Sequence, residues 1–113
     1  MTNKPTPAHL GDLEQLVLLA LLRLGDDGYG VVIAEEIERR AGREVSLGSV
    51  YKTLTRLDAK GLVGTRLGEP TAERGGRRKR YYHLLPLGRR ALGASLDAIR
   101  RLAVGVEGLI PGQ

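Results

Sequence analysis

Residues 46–82 change their pattern halfway, and that change limits the folds open to the chain. From Ser46 to Lys60, Leu47, Val50, Leu54 and Leu57 recur at helical spacing and form one narrow apolar stripe, with Ser46 as cap. Ser49, Lys52, Thr53, Arg56 and Lys60 project on the opposite face. Gly61 stops the helix. Residues 62–67 and 79–84 then read as two strands joined by a long loop of Gly, Pro and Arg. Nine of the 18 Lys/Arg fall between Ser46 and Arg80 against three acids (Asp58, Glu69 and Glu73), so this segment carries +6 and the remainder is nearly neutral. A local positive pole on a helix–hairpin unit is the electrostatic footprint of a protein that docks on phosphate backbones.

The flanking segments supply the scaffold. Residues 1–9 contain two prolines and little apolar surface and predict a flexible arm. Asp12 can cap a first helix over 12–24, with Gln15 completing a capping box. That helix is apolar nearly all round and must be covered on more than one side. After a turn at 25–28, a second helix over 30–41 places Val31, Ile33, Ala34, Ile37 and Ala41 inward. Glu35, Glu36, Glu38, Arg39 and Arg40 face outward, and Gly42 is the C-cap. Glu44 and Val45 could form a short strand.

Pro86 opens a last helix predicted to reach about Ile110. Along it Leu92, Leu96, Ile99, Ala103, Val106 and Ile110 recur at alternating steps of four and three, a seam of the kind that joins two helices. Leu102 and Leu109 broaden the seam. Gly93, Gly105 and Gly108 weaken the helix, so its end needs docking to persist.

The order of elements predicts a mainly α (α+β) fold, a winged helix-turn-helix with a C-terminal dimerisation helix. The expected division is an arm at 1–9, a DNA-binding domain at 10–85 and the dimerisation helix at 86–113.

Composition narrows the chemistry. With no Cys in 113 residues there is no disulfide, thiolate metal site or cysteine nucleophile. His9 and His83 lack companions at ligand spacing, and the glycines at 25, 28 and 30 follow a helix rather than a strand, which fails the dinucleotide test. We expect no enzymatic activity, metal or cofactor. The apolar run at 16–22 is too short to span a bilayer, and Asp12 and Glu14 precede it where a signal peptide would carry positive charge; no membrane association and a cytoplasmic location are expected. Lacking Phe and Trp, the core must be built from Leu, Val, Ile and Ala.

Several separated motifs resemble the PadR family of bacterial transcriptional regulators. They are residues 13–22, Tyr29-Gly30, residues 45–54, Gly61-Leu62-Val63, the wing residues 73–77 followed by 79–82, and Gly88. The resemblance runs from about Leu10 to Leu92. It implies a homodimer of winged helix-turn-helix domains with the third helix in the major groove of double-stranded DNA. It further implies repression of nearby promoters, often with release by a small effector. One helix after the wing resembles the family's short form. Leu85 departs from the Thr or Ser usual before that helix, and Pro86 offsets part of the missing cap.

The expected DNA contacts are Ser49, Tyr51, Lys52, Thr53, Arg56 and Lys60 on the third helix and Gly75, Gly76, Arg77, Arg78, Lys79 and Arg80 in the wing. Lys and Arg at helical spacing are the usual readers of guanine edges. Tyr51, at the border of the apolar stripe, can close the core or, as the resemblance suggests, bond a phosphate. Gly75 and Gly76 allow a tight tip that brings the wing cations to the backbone or minor groove. Tyr81 and Tyr82 alternate across a strand, and Tyr82, on the face of Leu84, is the core candidate. The expected dimer interface is Leu13, Val17, Leu92, Leu96, Ile99, Ala103, Val106 and Ile110. A small hydrophobic effector would have to bind among Leu and Val rather than stack on Trp or Phe. The rival readings are a non-specific nucleoid-type protein, which binds all duplexes alike, and a protein-interaction module, whose DNA binding would be weak and insensitive to salt.

Overall fold

Ser46 caps the third helix as its sequence predicts: its Oγ accepts the Ser49 N–H at 3.1 Å and donates to Ser49 Oγ at 2.8 Å. The computed structural model describes residues 9–69 and 78–112. In chain order it contains α1 (Asp12–Leu24), a 3-10 turn (Gly25–Asp27), α2 (Gly30–Ala41), α3 (Leu47–Ala59), β1 (Val63–Leu67), β2 (Arg80–Leu84), α4 (Pro86–Ala103) and a second 3-10 turn (Glu107–Leu109). Gly42 ends α2 in the left-handed region at φ 64°. β1 and β2 form an antiparallel pair with Arg66 opposite Tyr81 and Thr65 opposite Tyr82.

α1, α2 and α3 enclose a core of Val17, Leu18, Leu21, Ile33, Ile37, Val50, Leu54 and Leu57. Leu62, Val63, Tyr82, Ala91 and Leu92 extend it under the sheet and α4. Tyr82 is therefore the inward tyrosine. Its burial pushes the phenol pKa above the ordinary value. Gly88 lets α4 seat closely, since a Cβ there would lie 2.1 Å from the Leu62 carbonyl oxygen.

Several boundaries differ from expectation. Gly11, not Asp12, is the N-cap of α1, because Glu14 reaches back to accept the Gly11 N–H at 2.8 Å. No strand forms at Glu44–Val45. The free edge of β2 is met instead by the loop before α2, where Gly28 O accepts the Tyr82 N–H at 2.8 Å. On α2, Val31 is exposed and Glu36 is buried between Arg39 and Arg40; the Arg40 bond is 2.7 Å long, and both guanidinium bonds hold the Glu36 carboxyl below its ordinary pKa. α4 stops at Ala103, followed by Gly105 at φ 86°. Val106 and Ile110 thus lie beyond the helix, and its seam is shorter than the sequence suggests.

Candidate nucleic-acid interface

α3 presents Ser49, Tyr51, Lys52 and Arg56 to solvent. Lys52 makes no hydrogen bond or ion pair among the described residues, which leaves its ammonium available to an anion. Thr53 does not belong to this face. It is 3% exposed, and its hydroxyl donates to Ser49 O at 2.8 Å. Three residues after Val50 and four before Leu57, it sits on the buried side of the helix, where the back-bond satisfies its only polar atom.

Lys60 is also redirected. Its ammonium donates to both oxygens of Glu14, at 2.8 and 2.9 Å, and to His9 O at 3.2 Å. It clamps the end of α3 to the start of α1 rather than facing a groove. Burial raises the Glu14 pKa, but the Gly11 N–H and the Lys60 ammonium outweigh burial and, with Arg56, hold the carboxyl below its ordinary value. Asp12 pairs with Arg43, just before α3. The first turn of α1 therefore holds both the loop that leads into α3 and the C-cap of α3.

The wing meets α3 at the start of α2. The Tyr51 ring lies over Gly30, where a Cβ would stand 2.5 Å from its Cζ, so a larger residue there would push the ring aside. One residue earlier, the Lys79 ammonium sits 4.5 Å from the Tyr29 ring centroid and donates to its hydroxyl at 3.3 Å. Tyr29 provides no side-chain cap to α2, and the first turn of α2 carries no acid. The positive end of that helix thus adds to the cations around it. Arg78 and Arg80 are exposed, with Arg80 reaching Thr65 Oγ1 at 3.3 Å. Gly75, Gly76 and Arg77 lie outside the described residues. Tyr29, quoted from the sequence only within the Tyr29-Gly30 motif, joins the site through its contact with Lys79, a long-range pairing that no local pattern prints.

Residues 18–94 match the profile of the Transcriptional regulator PadR-like family. The chain belongs to that family. Among solved structures, a PadR family transcription regulator from Clostridium difficile R20291 superposes with a TM-score of 0.72 at 23% identity, over 88% of this chain and 98% of that one. Bacillus subtilis PadR in complex with operator DNA superposes at 0.63 with 23% identity, over 75% of this chain and 46% of that one. At these identities the two establish the winged-helix fold. A sequence relative is an uncharacterised 37.1 kDa protein in transposon Tn4556 of Streptomyces fradiae, 36% identical over 105 residues. The match takes in 90% of this PadR-like chain and 27% of that protein, so the chain spans about a quarter of the relative's length.

The expected dimer residues divide in two. Val17 is 0% and Leu92 3% exposed within the chain's own core, so neither is available to a partner. Helix α4 packs on α1, where Ser95 Oγ donates to Gln15 Oε1 at 2.8 Å, and Val17 and Leu92 both belong to the core the helices share. Leu13 and Leu96 are half-buried against the same core, and Ala103 is half-buried. Ile99, Val106 and Ile110 are exposed, together with Leu102 at 84%, Val104 and Leu109.

Proposed function

We propose that this PadR-like regulator acts as a homodimeric repressor that binds palindromic promoter sites in double-stranded DNA. α3 enters the major groove, and the wing holds the adjacent backbone. The observation that carries the reading is the convergence of α3 and the wing on consecutive residues: Tyr51 covers Gly30 while Lys79 covers Tyr29. One continuous surface then offers Ser49, Lys52 and Arg56 to base edges. Tyr51, the start of α2 and the wing cations Arg78, Lys79 and Arg80 face phosphates. The operator DNA bound by Bacillus subtilis PadR supports the same use of this fold.

Dimerisation is supported by the exposed apolar side chains at and beyond the end of α4, Ile99, Leu102, Val104, Val106, Leu109 and Ile110, which a partner subunit would cover. A groove of about 210 Å³ between α1 and α2, lined by Leu16, Leu19, Ala20 and Ile37 together with Arg23, Glu36 and Arg40, offers a small effector an apolar surface with charged partners beside it.

Selection of bound fragments from random duplex DNA tests the reading. Enrichment of a palindrome with half-sites about one helical turn apart is expected. Recovery of unrelated fragments at equal affinity would favour a non-specific DNA-binding protein, and weak, salt-insensitive binding a protein-interaction module.

A further inference from the structure

We propose that Arg66 is a positioning residue for DNA recognition: it fixes the wing against the start of α2 and thereby sets sequence discrimination without touching DNA. The inference rests on the DNA-binding reading above and adds a residue to it. In sequence Arg66 is one of the nine cations of the positive pole and is not among the expected DNA contacts. In the structure its guanidinium is engaged twice. It stacks on Tyr81, its cross-strand neighbour, at 4.3 Å from the ring centroid, and donates to Asp26 O at 2.9 Å.

The stack continues beyond Arg66. The Tyr81 ring meets Tyr29 edge to face, with centroids 5.4 Å apart and planes inclined by 74°. The Lys79 ammonium lies over the Tyr29 ring in turn. Gly68 makes the room, since a Cβ there would stand 2.6 Å from Tyr81 Cε2. Four side chains thus bridge both strands of the wing, the turn after α1 and the residue at the N-cap of α2. Alongside them the backbone gives one direct tie between wing and loop, Tyr82 N–H to Gly28 O.

A wing held at a fixed angle brings its cations to the backbone in register with α3, so a specific complex forms without first ordering the hairpin. A non-specific complex draws on counterion release and does not require that register. Loss of the stack should therefore weaken specific binding more than non-specific binding.

The test compares the parent with Arg66→Lys and Arg66→Ala, using the most enriched duplex from selection and a scrambled duplex of equal length across a salt series. Lysine keeps the charge but not the planar fork. Arg66→Ala should lose discrimination by roughly three- to thirty-fold, the range corresponding to one cation–π contact. Arg66→Lys should lose it by a smaller factor, since an ammonium over the ring cannot also reproduce the guanidinium's flat stack and its bond to Asp26 O; the salt slope should be unchanged in both. Without DNA, both should speed hydrogen exchange at the Tyr82 amide relative to the amides of α1. If Arg66→Lys discriminates like the parent and Arg66→Ala lowers the slope by about 0.9 per contact, Arg66 is a phosphate ligand and the proposal fails. Unchanged exchange at Tyr82 also overturns it. A parent that binds both duplexes alike defeats the sequence-specific reading and the discrimination role with it; the exchange measurement still decides whether Arg66 docks the wing.

Discussion

Arg56 and Thr53 stand three residues apart on one helix, yet one is exposed and the other is sealed by its bond to Ser49 O. Arg56→Ala should change which base pairs are preferred in a selection, since a bidentate Arg–guanine contact discriminates by about 1–3 kcal/mol. Thr53→Val should leave the selected sequence as in the parent. A changed consensus in Thr53→Val, or an unchanged one in Arg56→Ala, would reverse these assignments. Glu14 differs from both because its charge serves the fold. Its lowered pKa means that the ionised, Lys60-paired form stabilises the native state above the unfolded carboxylate value, and this contribution is lost as pH falls through the folded value. Glu14→Gln should cost about 1–3 kcal/mol at neutral pH. The gap between parent and variant should close below about pH 4 in denaturant titrations. A gap that persists into acid would mean that packing, not charge, is what Glu14 supplies.

Among elements, α4 contains two glycines with opposite surroundings. Gly88 faces the Leu62 carbonyl oxygen at a distance no Cβ can share, whereas a Cβ at Gly93 would meet nothing within 4 Å. Gly88→Ala should destabilise by about 1–3 kcal/mol through displacement of α4. Gly93→Ala should stabilise by about 0.5–1 kcal/mol through helix propensity alone. Thermal melts of the two variants check this pair, and equal shifts of one sign would contradict it. Helix boundaries were legible where the signal was local: Ser46 capping α3, Gly42 closing α2 and Pro86 opening α4. What escaped depended on distant partners. The strand expected at Glu44–Val45 has no neighbour to pair with, while Gly28, part of a turn signal, meets the edge of β2. The positive pole was visible from charge counting, but which cations are engaged was not. Lys60 is taken up by Glu14 and Arg66 by Tyr81, choices made by tertiary contact.

For the whole molecule, the question is what covers the end of α4. The expected seam included Val17 and Leu92, which the chain buries by itself, so a partner would have to use the remaining residues. Ile99→Asp with Leu102→Asp should convert a dimer to soluble monomer in sedimentation, since two buried carboxylates without partners are costly at an apolar interface. The same substitutions should leave the monomer fold intact, because both positions are exposed within one chain. A variant that still sediments as a dimer would move the interface elsewhere, with the groove beside Leu16 and Leu19 the next candidate.

The chain has four tyrosines and no tryptophan, and Tyr29, Tyr51, Tyr81 and Tyr82 all lie along the start of α2 and the strands that lean on it. Its intrinsic ultraviolet emission therefore originates almost wholly from the region where α3 and the wing converge, and none of it from α4. The protein carries an unlabelled optical probe of its candidate DNA-binding face. A spectral change on adding duplex would report that region directly, while subunit exchange through α4 would pass unseen.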